Sequence, residues 1–155
     1  MLFTIGVISD THGLLRPEAV VALQGSAHIL HAGDIGDEGI IPELHKIAPV
    51  TAIRGNVDRA AWTKAFAETE VVELGGVSIY MLHDVHQLDL DPVAAGFRVV
   101  ISGHSHQPKQ ETRNGVLYFN PGSAGPRRFS LPISVGKLVI SPDKIAAEIV
   151  EMKIG

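Results

Sequence analysis

Short apolar runs alternate along the first two thirds of the chain with polar or glycine-rich turns and amphipathic stretches. Such runs are typical of buried strands, and the amphipathic stretches between them are typical of helices. This alternation predicts strands that alternate with helices around a largely buried sheet. Such an arrangement is typical of the α/β class. The predicted strands are Leu2–Ile8, Ala27–Leu30, Val50–Ile53, Val71–Leu74, Val77–Leu82 and Val99–Ser102, and the predicted helices are Pro17–Leu23, Ile40–Ile47 and Arg59–Ala67, with a short turn near Pro92.

The pattern changes after His106, where strands are joined by tight turns instead of helices. An Asn114-Gly115 pair lies between Gln110–Thr112 and Val116–Phe119, and this dipeptide is a strong hairpin signal. A second hairpin is predicted around Pro142. The strands of these hairpins are Gln110–Thr112, Val116–Phe119, Ser134–Ile140 and Ile145–Met152. We expect them to form a second, antiparallel sheet or to widen the first.

Length and composition predict one domain that spans residues 1–155. The 155-residue length is that of a single domain, and the chain contains no internal repeat or linker-like segment. Apolar residues make up 45% and charged residues 19%, which excludes intrinsic disorder. There is no cysteine, so disulfides, thiolate zinc sites and thiol nucleophiles are excluded.

Charge and hydropathy narrow the set of partners. Thirteen Lys and Arg against seventeen Asp and Glu give a net charge of −4, which disfavours a stable nucleic acid complex. The apolar run Leu2–Ile8 has no preceding positive region and is too short to span a bilayer. We therefore expect a cytoplasmic protein without membrane attachment, and the sequence leaves a homo-oligomer open.

Asp, Asn or His side chains follow five of the predicted strands. The carboxyl ends of parallel strands share one edge of an α/β sheet, so these side chains should converge there. In Asp10-x-His12 and His104-x-His106 the paired residues are two apart, which in extended chain directs both to one face. Glycines at the same turns permit close backbone approach: Gly33, Gly55 and Gly103. The convergent set is Asp10, His12, Asp34, Asn56, His83, His104 and His106.

This donor set predicts two divalent metal ions. It is too large for one tetrahedral ion and lacks the sulfur of structural zinc sites. With Asp34 shared, the remaining six residues divide into two groups of three. Mixed nitrogen and oxygen donors suit manganese, which we expect, and also nickel, iron, zinc and cobalt. A paired-metal site holds a bridging hydroxide as nucleophile and offsets phosphate charge, which predicts phosphoester hydrolysis.

The motifs, in this order, resemble those of the calcineurin-like metallophosphoesterases, in particular their small prokaryotic phosphodiesterase branch. The residues that carry the resemblance are Asp10-x-His12, Gly33-Asp34-x-x-Asp37, Gly55-Asn56-x-Asp58, His83, Gly103-His104-x-His106, Asn120-Pro121-Gly122-Ser123 and Pro126-Arg127. The resemblance implies two facing mixed β-sheets flanked by helices, a four-layer αββα sandwich. It also implies one metal bound by Asp10, His12, Asp34 and His106, and a second bound by Asp34, Asn56, His83 and His104.

The resemblance further implies a phosphodiesterase that acts on a small diester substrate. Asp34, Asn56 and His83 have the expected catalytic roles. Asn56 and Arg127 are expected to contact the substrate, although Arg127 also suits a solvated loop or a subunit contact. Many relatives have a proton-donating His where this chain has Val57, which cannot transfer a proton.

Two alternative functions stay open. The same fold resembles a retromer-complex subunit that serves as a scaffold with a degraded metal site, but all seven metal-ligating positions are occupied here. A phosphomonoesterase is the other alternative, and Val57 argues against it. Asp37 and Asp58 are interpreted as turn or helix-cap residues. His31 and His86 lie near the site in sequence and are assigned no role.

Overall fold

The computed structural model describes residues 2–154 and shows ten β-strands with three short α-helices in that range. The strands are β1 Phe3–Ile8, β2 His28–His31, β3 Val50–Ala52, β4 Thr69–Leu74, β5 Val77–Leu82, β6 Val99–Ile101, β7 Lys109–Arg113, β8 Val116–Asn120, β9 Ser134–Ser141 and β10 Lys144–Glu151. The helices are α1 Pro17–Ala22, α2 Ile40–His45 and α3 Pro92–Ala95. None of the helices in the described range is long and apolar enough to cross a membrane.

The strands form two mixed five-stranded sheets. Sheet A has the order β10-β9-β1-β2-β3, and sheet B has the order β4-β5-β6-β8-β7. In sheet A, β1, β2 and β3 are parallel, β9 runs antiparallel to β1, and β10 runs antiparallel to β9. In sheet B, β5, β6 and β8 are parallel, with β4 and β7 antiparallel at the edges. The parallel strands of each sheet therefore end on the same side.

The main core lies between the two sheets. Alternate residues of β1 and β5, such as Ile5 and Ile79, are fully buried there and contact Phe119 of β8. Helices α1 and α2 cover the outer face of sheet A with residues that include Leu23 and Leu44. The segment between β5 and β6 covers the outer face of sheet B. The layers follow the αββα order, which confirms the predicted fold.

The four strands after His106 are divided differently from the prediction. They neither form a sheet of their own nor all extend one sheet, because β7 and β8 complete sheet B while β9 and β10 complete sheet A. The reason lies in β1, which is buried from Ile5 to Ile8 and needs a hydrogen-bonding partner on each side. Strand β2 pairs with one side of β1, and β9 supplies the other.

The predicted helix at Arg59–Ala67 is wrong. Within this range only Ala61–Ala65 is helical, and it forms a 3₁₀ helix instead of an α-helix. The hydroxyl of Thr63 donates to the carbonyls of Asp58 and Ala60, and such local hydrogen bonds compete with helical pairing. The four-residue spacing of Trp62 and Phe66 still brings their rings together, with centroids 6.4 Å apart.

Close packing between β8 and β9 gives a stability test. Gly136 of β9 lies against the buried ring of Phe119, and a Cβ at Gly136 would overlap two ring carbons. Gly136→Ala should therefore lower the free energy of unfolding by roughly 1–3 kcal/mol, measured by urea denaturation. Gly39→Ala is the control, since Gly39 is exposed with an ordinary φ of −77°, and its effect should be about 0.5 kcal/mol or less. Equal stability of Gly136→Ala and the wild type would contradict this packing.

Candidate metal centre

Five loops converge at one end of the sandwich, but they come from both sheets. The loops after β1, β2 and β3 belong to sheet A, and those after β5 and β6 belong to sheet B. The expectation that they share one edge of a single sheet is therefore wrong. Two hydrogen bonds join the sheets at this end: the His104 N–H donates to Asp10 Oδ2 at 3.0 Å, and His83 Nδ1 donates to the Ala32 carbonyl at 2.7 Å.

The candidate ligands have an unusual backbone conformation. Five of them have positive φ, at Asp10 (56°), His12 (45°), Asp34 (55°), His104 (72°) and His106 (62°). Non-glycine residues rarely adopt this left-handed conformation, and it concentrates at functional sites. The prediction that Asp10-x-His12 and His104-x-His106 lie in extended chain is therefore wrong. Each strand has ended before its doublet, and the loop curls to hydrogen-bond a neighbouring loop, as His12 N–H does with the Asp34 carbonyl at 2.9 Å.

The first group of side chains consists of Asp10, His12 and His106. Asp10 Oδ1 lies 3.4 Å from His106 Nε2 and 3.7 Å from His12 Nε2. The two imidazole nitrogens are 3.2 Å apart. One ligand atom from each residue lies within 4.8 Å of the others, which is close enough for all three to hold one metal ion.

The second group consists of Asp34, His83 and His104. Asp34 Oδ2 lies 3.1 Å from His83 Nε2, and the three ligand atoms again lie within 4.8 Å of one another. Asp34 and His83 are buried, whereas the His104 side chain is 44% exposed. Asn56 is exposed and lines the same cavity of about 980 Å³ as His83 and His104.

Asp34 connects the two groups. Its Oδ2 lies 3.5 Å from His12 Nε2 of the first group and 3.1 Å from His83 Nε2 of the second. Its Oδ1 instead accepts a hydrogen bond from the Val57 N–H at 3.1 Å. Asp10 is arranged in the same way, because its Oδ2 accepts from Ser9 while its Oδ1 faces the imidazoles. Each carboxylate therefore has one oxygen held by the protein and one directed at ring nitrogens.

The buried polar atoms of the cluster fit bound cations. Within residues 2–154, three buried side-chain atoms have no hydrogen-bond partner, and all are in this cluster: Asp10 Oδ1, His83 Nε2 and His106 Nδ1. Such atoms are rare in native proteins and destabilise them by about 1–3 kcal/mol each. Since His83 Nδ1 donates to a carbonyl, the His83 Nε2 lone pair faces the cluster, as in many metal sites. A divalent cation in the first group would satisfy Asp10 Oδ1, and one in the second would satisfy His83 Nε2.

Electrostatics strengthen the pairing of Asp34 with His83. Burial alone would raise the pKa of Asp34, but contacts with His83, the Val57 N–H and His12 lower it to about 2. Burial would also lower the pKa of His83, yet the nearby carboxylates of Asp34 and Asp10 raise it. Metal ligation needs a neutral imidazole, so a cation competes with a proton for His83 Nε2 and binds more weakly as pH falls.

Arg127, the predicted substrate contact, and its neighbour Arg128 differ in their relation to the cluster. Arg127 is exposed, and its Nη1 donates to the Leu131 carbonyl of its own loop at 3.4 Å. Burial lowers the pKa of His106, and the charge of Arg128 lowers it further against the opposing effect of Asp10. Arg128 is thus the arginine whose charge reaches the cluster.

Asp58 joins two site loops. Its carboxylate accepts three backbone hydrogen bonds, from Ile35 at 3.0 Å, Gly36 at 3.1 Å and Gly55 at 2.8 Å. The helix-cap interpretation of Asp58 is therefore wrong, because no α-helix follows it and its partners lie on the loops after β2 and β3. Asp37, in contrast, is exposed and accepts only from the Gly39 N–H in its own turn, as expected.

Asn120 and Ser123 support the site from behind. Asn120 Nδ2 donates to the Gly103 carbonyl at 2.9 Å and to Ser105 Oγ at 3.2 Å, which positions the loop of His104 and His106. Ser123 Oγ donates to the Asp10 carbonyl at 3.0 Å. Both residues belong to the Asn120-Pro121-Gly122-Ser123 motif. From the sequence alone, this motif contributes only to the family resemblance and predicts no contact.

His31 is a structural residue beside the cluster. The Gly33 N–H donates to His31 Nδ1 at 3.1 Å, so His31 Nε2 carries the proton and donates to Thr11 Oγ1 at 3.0 Å. Thr11 in turn donates to the Ile35 carbonyl at 2.8 Å. Burial lowers the pKa of His31 to about 4 despite nearby carboxylates, which keeps the ring neutral at neutral pH.

Glycines leave room for this packing. A Cβ on Gly103 would lie 2.6 Å from Asp10 Oδ2, and a Cβ on Gly33 would lie 2.7 Å from His83 Nδ1. Gly33 also has a φ of +103°, which disfavours other residues. Close approach at these turns, expected from the sequence, is confirmed.

Comparison with known proteins identifies a family. Residues 3–142 match the model of the calcineurin-like phosphoesterase superfamily domain. A probable metallophosphoesterase of Methanothermobacter thermautotrophicus is 38% identical over 94% of this chain and 91% of its own length. A phosphodiesterase of Methanocaldococcus jannaschii is 30% identical over 76% of this chain and 82% of its own length.

Solved structures share the fold. A predicted phosphoesterase of Streptococcus pneumoniae superposes with a TM-score of 0.79 at 23% identity, covering 97% of this chain and 90% of that one. Vacuolar protein sorting 29 of Cryptosporidium parvum superposes with a TM-score of 0.77 at 19% identity, covering 97% of both chains. At these identities the likeness concerns the fold alone.

The contacts of Asp58 predict a stability effect. Asp58→Ala removes the acceptor of three N–H groups and should lower the free energy of unfolding by roughly 2–4 kcal/mol, measured by urea denaturation. Asp37→Ala is the matched control from the neighbouring motif and should cost about 0.5 kcal/mol. Similar effects of the two substitutions would show that Asp58 does not hold the loops together.

Proposed function

Because the chain belongs to the calcineurin-like phosphoesterase superfamily, we propose that it hydrolyses phosphodiester bonds with two divalent cations bound at the converging loops. The observation that carries this proposal is the position of Asp34 Oδ2, within 3.5 Å of His12 Nε2 and 3.1 Å of His83 Nε2. One carboxylate oxygen so placed suits a bridge between two ions.

The proposed ligands divide between the two ions with Asp34 in common. Asp10, His12, Asp34 and His106 hold the first ion, and Asp34, Asn56, His83 and His104 hold the second. The observed groups support this division, and Asn56 borders the cavity of the second group. Mixed imidazole and oxygen donors favour manganese, with nickel, iron, zinc and cobalt as alternatives.

The bound cations would activate the attacking water and offset the charge on the phosphate oxygens. The chain itself supplies the positioning. Buried Asp10 and His106 hold the inner side, while the more exposed Asn56 and His104 face an incoming phosphate. Asn56 has an amide that can donate to a phosphate oxygen, and Arg127 is the second proposed substrate contact.

A small diester is the proposed substrate class. Relatives that align over most of this chain are named phosphodiesterases, which favours diesters over monoesters. Val57 is 49% exposed and has no proton to donate, which argues against a monoesterase.

The scaffold alternative has weaker support. The likeness to vacuolar protein sorting 29 concerns the fold and is compatible with a scaffold. All seven candidate ligands are present in this chain, however, and six of them form two compact groups. A complete donor set favours the enzyme.

Asp34→Asn should lower the content of both metals and the rate of diester hydrolysis, because a bridge between two cations needs the full carboxylate charge. Metal content is measured by mass spectrometry of the purified protein, and activity with bis(4-nitrophenyl) phosphate. The rate should fall by at least about 100-fold, more than the loss typical of residues behind the ligands.

Asp37→Asn is the matched control, since Asp37 is exposed and contacts only its own turn. It should retain wild-type metal content and activity. Two tightly held ions in Asp34→Asn, or wild-type turnover, would contradict the bridging role.

A further inference from the structure

The proposed reaction leaves one requirement unassigned, which is protonation of the departing oxygen. Val57 stands at the site mouth and has no group that can transfer a proton. A general acid typically contributes about 100-fold to 10,000-fold to such a reaction, most for basic leaving groups. The question is therefore which other side chain near the cluster carries a transferable proton.

The eight histidines of the chain narrow the choice to one. Four are candidate metal ligands, and His31 is buried with both ring nitrogens hydrogen-bonded. His28 lies at the start of β2 and His45 at the end of α2, away from the carboxyl ends of the strands where the cluster lies. His86 remains, in the 3₁₀ turn that follows His83.

Asp84 lies between His86 and the second group and contacts both. Asp84 Oδ1 accepts from the His86 N–H at 3.0 Å and lies 3.2 Å from His86 Nδ1. Asp84 Oδ2 lies 3.9 Å from His104 Nε2 of the second group. With Nδ1 donating to the carboxylate, Nε2 is the outer ring nitrogen of a side chain that is 89% exposed.

A cavity connects these residues. Asp84, His86 and His104 line one cavity of about 240 Å³ between the turn after β5 and strands β7 and β8. An ester group on a phosphate bound at His104 can extend into this space beside His86. In the same wall, Lys109 pairs with Glu111 at 3.5 Å, and Arg113 lies over the Tyr118 ring at 4.1 Å.

We propose that His86, positioned by Asp84, donates a proton to the leaving oxygen of the diester. This inference rests on the proposed phosphodiesterase function. Water forms the new bond to phosphorus and releases a proton to solvent, the phosphorus–oxygen ester bond breaks, and the His86 Nε2 proton passes to the departing oxygen. The products are a phosphomonoester and an alcohol, and His86 regains its proton from solvent. Asp84 is a positioning residue.

The test is a series of phosphodiesters with leaving groups of graded pKa, assayed at saturating metal on the wild type, His86→Gln and Asp84→Asn. In His86→Gln the rate with the most basic leaving group should fall by about 100-fold or more, while the rate with 4-nitrophenolate should change little. In Asp84→Asn the rate should also fall more steeply than in the wild type as the leaving-group pKa rises, but the change should be smaller than in His86→Gln. Metal content, the readout independent of activity, should equal that of the wild type in both variants.

His45→Gln is the matched control, because His45 lies on α2 away from the cluster. Its slope, which is the change of rate with leaving-group pKa, should equal that of the wild type. An unchanged slope in His86→Gln, or an equal fall with every leaving group, would overturn the role of His86 while leaving the phosphodiesterase proposal intact. A wild type that hydrolyses no diester with any metal would overturn the proposed function itself.

Discussion

The contact of one carboxylate oxygen with imidazoles from two loops is the interaction on which the rest of the site depends. Asp34 Oδ2 faces His12 on one side and His83 on the other, which joins two groups that each contain residues from both sheets. In the metal-free protein this oxygen is balanced by a His83 ring whose pKa is raised. A cation and a proton therefore compete for the His83 ring, and metal binding should weaken as pH falls.

Holding these groups in place requires unfavourable backbone conformations. Five candidate ligands are left-handed, each at a cost of about 1–3 kcal/mol. The cost is offset by contacts that touch no metal ligand side chain, such as those of Asp58 with three N–H groups and of Asn120 with the Gly103 carbonyl. Behind them, the buried strands of both sheets provide a rigid base. The geometry of the site therefore depends on the packing at this end of the sandwich as well as on the ligands themselves.

The strands and the site residues could largely be predicted from the sequence, but their arrangement could not. Apolar runs located the strands within one or two residues, as for β5, because burial on both faces leaves a strong local signal. The division of β7 to β10 between two sheets depends on contacts distant in sequence, which periodicity does not encode. The left-handed loops at Asp10 and His104 and the carboxylate contacts of Asp58 were missed for the same reason, since each is set by hydrogen bonds to another loop.

The central claim is that Asp34 bridges two cations, and anomalous diffraction from crystals grown with Mn²⁺ tests it most directly. The account predicts two anomalous peaks about 3.5–4 Å apart. One should lie among Asp10, His12 and His106, the other among Asp34, His83 and His104, with Asp34 Oδ2 in contact with both. A single peak at saturating metal, or two peaks of which Asp34 contacts only one, would contradict it.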